Sequence, residues 1–152
     1  MSKLLFAGLF VLTALAGCDP EPGWAPSTLE QFRFEDEVYP VLLRDCGFHA
    51  CHGAEERFFR IWGPGRVRMD DRVSTAFSAA TNEEINASYQ RAQSMVDSRD
   101  LTGSLLLRKS LAVEAGGAGH LGADKFGRNV YRTVDDPGYI VLSRWVFAAN
   151  NE

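Results

Sequence analysis

The sequence predicts a mostly α-helical small domain, and three observations predict it. Apolar residues recur three or four apart in four separate segments, the spacing of one buried helix face. Capping residue types stand where these segments begin. The composition is that of a folded chain, since 45% of the 152 residues are hydrophobic and 11% aromatic.

Taken in order, Ser27 followed by Glu30 is a capping-box pattern, so a first helix is expected to begin there. Phe34, Val38 and Leu42 give it one apolar face, and Pro40 inside it should break or kink it. Phe58 to Trp62 and Arg66 to Met69 flank Gly63-Pro64-Gly65, which suggests a short hairpin or an irregular loop. Thr81 or Asn82 can cap a second helix, with Glu83 and Glu84 favourably placed in its first turn. Ile85, Tyr89, Ala92 and Val96 form its stripe. Gly103-Ser104 precedes a short third helix, Leu105 to Leu111, whose leucines are expected to face the core. A glycine-rich loop, Gly116 to Gly122, then carries His120; it lacks a preceding strand and a lysine-serine pair, so it is no phosphate loop. Asp136-Pro137 opens the last helix, with aspartate as cap and proline at the first position. Tyr139, Leu142, Trp145, Val146 and Ala149 supply its buried face. No internal repeat is visible.

The N-terminus points outside the cytoplasm. Lys3 precedes an apolar run from Leu4 to Leu15, too short to span a bilayer, and Leu15-Ala16-Gly17-Cys18 closes it with small residues. This reads as a signal peptide over residues 1–17, and its last four residues resemble a bacterial lipobox. The resemblance implies that Cys18 carries lipid and anchors the chain to the cell membrane or outer membrane, facing the periplasm or exterior. The plainer alternative is a signal peptide with an incidental cysteine. Residues 18–31 then form the anchor and a proline-rich tether, and residues 32–152 the domain, long enough to bury a core. A net charge of −4 with no basic stripe excludes nucleic acid as a partner.

The remaining cysteines carry the chemistry. Cys46-Gly47-Phe48-His49-Ala50-Cys51-His52 ends in an adjacent Cys-His pair, the order that attaches haem covalently and ligates its iron. Each thiol can add to a haem vinyl group, and the histidine after the second lies under the iron. Four residues separate the cysteines where two are usual, and a longer loop can still span the vinyls. In an oxidising compartment the alternatives are a Cys46–Cys51 disulfide or a zinc site that also uses His49 and His52. His49 is otherwise an exposed loop residue. Met69 and Met95 are rival axial ligands, although Met95 fits an ordinary helix position.

Phe34-x-x-Glu37-Val38-x-Pro40-x-Leu42 running into Cys46…Cys51-His52-Gly53 resembles the cytochrome c-like domains of planctomycete and myxobacterial exported proteins. Ser104-Leu-Leu-Leu-Arg-Lys109 and the close from His120 through Tyr139 and Leu142 to Trp145-Val146 resemble later parts of the same domains, so the likeness covers roughly residues 32 to 149. It implies a cytochrome c-like helical domain holding covalent haem c on Cys46 and Cys51, with His52 proximal. Many such domains place a methionine-proline-proline motif before the last helix; some carry a histidine-glycine segment instead, which makes His120 the distal candidate. The function implied is that of a membrane-anchored monohaem c-type cytochrome passing single electrons to an unidentified redox protein. An iron face left open by His120 would allow a sensor or peroxidase-like role. No nucleophile-base-acid set marks an enzyme. The competing class is a non-haem structural or binding lipoprotein with the disulfide.

Overall fold

The computed structural model describes residues 28–70, 72, 78–120 and 130–148. Cys18, the signal peptide, the tether up to residue 27, Leu121, Gly122 and Ala149 lie outside the described residues. The rest is helices and loops, with no strand among the described residues, so the mostly α expectation holds. No helix there is long and apolar enough to cross a membrane.

Helix α1 spans 28–46 and alternates tight and wide turns. Regular turns at Thr28–Arg33 give way to i→i+5 turns at Phe34–Val38, then again at Tyr39–Val41 and Leu42–Cys46. Of the break or kink expected at Pro40, the break does not occur, and the helix runs on through widened turns on either side. The proline occupies the first turn after a widened one, where a missing N–H interrupts no obligatory bond. The widening also changes which residues face inward. Phe34, Val38, Tyr39, Val41, Leu42 and Cys46 are all buried, a broader face than the simple four-residue repeat predicts.

The segment after α1 is an irregular loop rather than a hairpin, held by Gly63 N–H to the Val67 carbonyl (3.2 Å) and Val67 N–H to the Gly53 carbonyl (3.0 Å). Helix α2, Asn82–Gln93, starts from Thr81 with a complete capping box to Glu84. Glu84 is also the buried anchor of the preceding loop. Its two oxygens accept the Arg68 guanidinium at 2.7 and 2.9 Å, Met69 N–H at 3.1 Å and Thr81 N–H at 3.1 Å. Burial by itself raises the Glu84 carboxyl, but these donors outweigh it and hold the group below its usual range.

Helix α3, Leu105–Arg108, is shorter than expected. The chain leaves the helix because Tyr131 N–H donates to the Ser110 carbonyl and Ala112 N–H to the Tyr131 carbonyl, both at 2.9 Å. Leu106, Leu107 and Leu111 are buried, whereas Leu105 is 49% exposed, which corrects its core assignment. Helix α4, Pro137–Ala148, begins where expected and buries Leu142, Trp145 and Val146. Asp136 before it receives the N–H groups of Arg132 and Thr133 at 2.7 and 2.8 Å, fixing the turn that leads in.

The core is built on Phe34. Its ring meets those of Tyr89, Trp145 and Tyr39 at 5.2, 5.4 and 6.2 Å between centres. Trp145 also donates its indole N–H to the Glu30 carbonyl at 3.2 Å, tying α4 to the start of α1. This packing aims the C-terminal end of α1 at the segment before α4.

Candidate functional site

Cys46 ends α1 and is buried; the following residues fold back at once. Cys51 and Gly53 both donate backbone N–H groups to the Phe48 carbonyl (2.8 and 2.9 Å), and His52 donates to the Cys46 carbonyl at 3.0 Å. The backbones of Cys46 and His52 therefore lie side by side although four residues separate the cysteines. The extra residues are taken up in an outward turn where Phe48, His49 and Ala50 are exposed. Arg66 clamps the turn, donating to the Leu43 carbonyl at 2.9 Å and lying 4.9 Å from the Phe48 ring centre. Gly53 is required here: a Cβ would stand 2.0 Å from the Gly47 carbonyl oxygen.

His52 has a defined orientation and tautomer. Its Nδ1 lies 2.7 Å from the Phe59 carbonyl, which can only accept, so Nδ1 carries the proton and Nε2 keeps a free lone pair. The Phe59 ring meets it edge-on at 4.8 Å. Burial lowers the imidazole's pKa; the Phe59 carbonyl opposes that, and His120 and Arg57 reinforce it. His52 is thus neutral at neutral pH, the form that binds metal.

His120 comes from the glycine-rich loop, and the structure brings it to His52. The two imidazoles are 5.8 Å apart between ring centres and inclined by 29°. His120 Nδ1 is buried without a hydrogen-bond partner among the described residues. Burial and the Lys109 ammonium lower its pKa, so it too is neutral at neutral pH. Lys109 holds the loop by donating to the Gly119 carbonyl at 2.7 Å, and Ala118 N–H donates to the Arg108 carbonyl at 2.7 Å. Gly117 packs on the chain's own backbone, where a Cβ would lie 2.0 Å from the Leu111 carbonyl oxygen, whereas Gly119 has open space.

Both histidines and both cysteines line one cavity of about 400 Å³, within the size range of small-molecule sites. Phe58, Phe59, Met95, Leu105, Leu106, Val130 and Leu142 make its walls mostly apolar. Phe58 and Leu105 are 73% and 49% exposed, large apolar surface that a bound ligand would cover. Cys46 and Cys51 stand as free thiols. Burial, with Asp45 and Cys51 beside it, pushes the Cys46 thiol up to about 12. Among the described residues no three of His, Cys, Asp and Glu converge as a metal-ion cage does.

The rival ligands separate clearly. Met69 is 53% exposed and does not line the cavity, while Met95 lies just beyond α2 and lines it, so Met95 is not the ordinary helix residue expected. Sequence reasoning also missed Phe59 as the carbonyl that orients His52, and Asp45, which lines the cavity while accepting from Tyr131 at 2.9 Å and Arg44 at 2.7 Å. Nothing in the sequence marks a backbone carbonyl, so Phe59 had no readable signal. Comparison with protein families, curated proteins and solved structures finds no match for this chain.

Proposed function

We propose that this chain is a lipid-anchored monohaem c-type cytochrome that carries single electrons at a membrane surface. The supporting observation is one apolar cavity that presents two thiols and two neutral, facing imidazoles. The residues fit the group. Two neutral imidazoles 5.8 Å apart between centres stand beside two thiols in one cavity, and these are the donor types that such a group would use. Cys46 and Cys51 would hold the porphyrin through sulfur, His52 would bind iron through Nε2, and His120 would take the other face with the ring that now has an orphaned nitrogen. Haem supplies a one-electron ferric–ferrous couple when bound. The protein's part is to fix His52 through the Phe59 carbonyl, to exclude water with Leu106, Leu142 and Phe59, and to close the second face with His120.

The direct test is expression in a host able to mature c-type cytochromes, then denaturing electrophoresis with haem staining. A stained band that disappears in Cys46→Ala/Cys51→Ala supports the reading. An unstained protein whose mass is lower by a pair of hydrogens establishes the disulfide lipoprotein instead. His120→Ala should turn the iron high-spin and admit carbon monoxide. An unchanged low-spin spectrum would move the distal role to Met95, which lines the cavity.

A further inference from the structure

Two large apolar side chains are exposed well away from the cavity, and they share one end of the molecule. Phe32 on α1 is 64% exposed and Phe147 on α4 is 43% exposed. The first turns of α1, Thr28–Arg33, contact α4, where the Trp145 indole N–H donates to the Glu30 carbonyl at 3.2 Å. Each phenylalanine is two residues from that bond, so both stand at the end where α1 begins. Helix α1 runs from that end to the cavity. Cys46, at its far end, lies 14 residues beyond Phe32, roughly 20 Å at the helical rise per residue.

Charge decides how this end can meet a surface. Glu35 and Asp36 are exposed three and four positions after Phe32, on its side of the helix. Carboxylates one turn along keep α1 from lying flat on lipid and leave only its starting end to touch. They also give no attraction to anionic headgroups. The chain before α1 indicates what this end meets. Ten residues, 18–27, separate the described helix from the apolar leader, and at full extension they reach about 35 Å. Trp24 among them is a residue type that collects at membrane–water boundaries. The rings of Phe32 and Phe147 together offer roughly 200 Å², far below the roughly 1,200 Å² of a stable contact between two copies. A lipid surface needs no such area, because an anchored chain meets it intramolecularly.

We propose that Phe32 and Phe147 seat this end of the domain on an electrically neutral lipid surface, an inference that rests on the reading of Cys18 as the lipid-bearing residue. Aromatic side chains at the headgroup boundary add apolar contact to that of the acyl chains. The seat sets the direction of the whole domain. Helix α1 rises from the bilayer, and the cavity at its far end is held clear of lipid, where a soluble partner can reach it.

The test uses the lipid-bearing mature chain in phosphatidylcholine vesicles doped with a phosphatidylcholine that carries a photoreactive diazirine at its headgroup. Irradiation, proteolysis and mass spectrometry then map where lipid meets protein. Crosslinks should gather at the start of α1 and the end of α4. They should spare Phe48 and Phe58, comparably exposed residues near the far end of α1. Phe32→Ser/Phe147→Ser should lose most of these crosslinks while staying in the membrane fraction, and Phe32→Leu, which keeps an apolar side chain, should retain them. Replacing part of the phosphatidylcholine by phosphatidylglycerol should not strengthen them. Crosslinks spread evenly over Phe32, Phe48 and Phe58, or gathered at the cavity end, overturn the seat and leave the anchor in place. Crosslinks confined to Trp24, with Phe32 and Phe147 free of them, overturn it as well, since the tether alone then lies against lipid. A mature chain that carries no lipid and stays soluble overturns the anchor, and the seat with it.

Discussion

Glu84→Gln tests the anchor that ties the loop before α2 to that helix. Glu84 Oε1 accepts from Arg68 Nε and Met69 N–H, and Oε2 accepts from Arg68 Nη2 and Thr81 N–H, so each oxygen serves two donors. A glutamine keeps one acceptor oxygen and turns the other position into a donor facing two donors. Its side chain is 1% exposed and that of Arg68 6%, so water cannot make good the loss. Removing one partner of a buried pair costs about 3–5 kcal/mol. At about 4 °C per kcal/mol for a domain of this size, the midpoint of thermal unfolding should fall by about 12–20 °C. Arg68→Met should cost a similar amount, and the double variant Glu84→Gln/Arg68→Met less than the sum, because no charge is then left unpaired. The pH dependence has a defined sign. The folded carboxyl is held below its usual 4.5, so its contribution is complete at neutral pH and fades as pH falls below 4.5. The gap between wild type and Glu84→Gln should therefore narrow in acid. Thermal and urea unfolding at pH 7 and pH 3 measure all of this. A loss under about 1 kcal/mol at pH 7, or strict additivity in the double variant, would refute the role given to Glu84.

Gly53→Ala places a Cβ 2.0 Å from the Gly47 carbonyl oxygen, a rigid backbone atom, so it should cost about 3 kcal/mol by overpacking and lower the yield of haem-stained protein. Urea unfolding and haem staining check it. Gly117→Ala should be destabilising for the same reason, at the Leu111 carbonyl, whereas Gly119→Ala, with open space, should stay within about 0.5 kcal/mol of wild type. With Cys46 buried and its thiol pushed up by that burial, iodoacetamide should label Cys51 well before Cys46 in the native thiol protein. Peptide mass spectrometry after timed quenching reads the order, and equal labelling rates would contradict the burial of Cys46.

The helices were legible because helix formation is local. Thr81 with Glu84, Asp136 with Pro137, and the spacing of Phe34, Val38 and Leu42 each lie within a few residues of one another, and each marks an element the structure contains. The break expected as one outcome at Pro40 and the burial expected of Leu105 are absent for one shared reason. A proline's cost depends on whether the turn before it is already widened, and a leucine's burial depends on which element lies opposite, and neither is written in the neighbouring residues. The hairpin alternative failed because the loop's bonds go to Gly53 and Glu84 rather than across a pair of strands.

By itself the sequence determined the chemistry available to this protein: two cysteines and a following histidine in one short segment, and a further histidine on a glycine-rich loop 68 positions later. Which of these groups meet was decided only by the packing of α1 against α4 around Phe34 and by the Lys109 and Ala118 bonds that carry the loop to His52. The same packing removed Met69 from contention and placed Met95 in the cavity wall. Residue type fixes what a side chain can bind, and that is local and covalent. Which side chains share a cavity follows from cooperative burial of surface contributed by distant segments, so it exists only once the chain has folded.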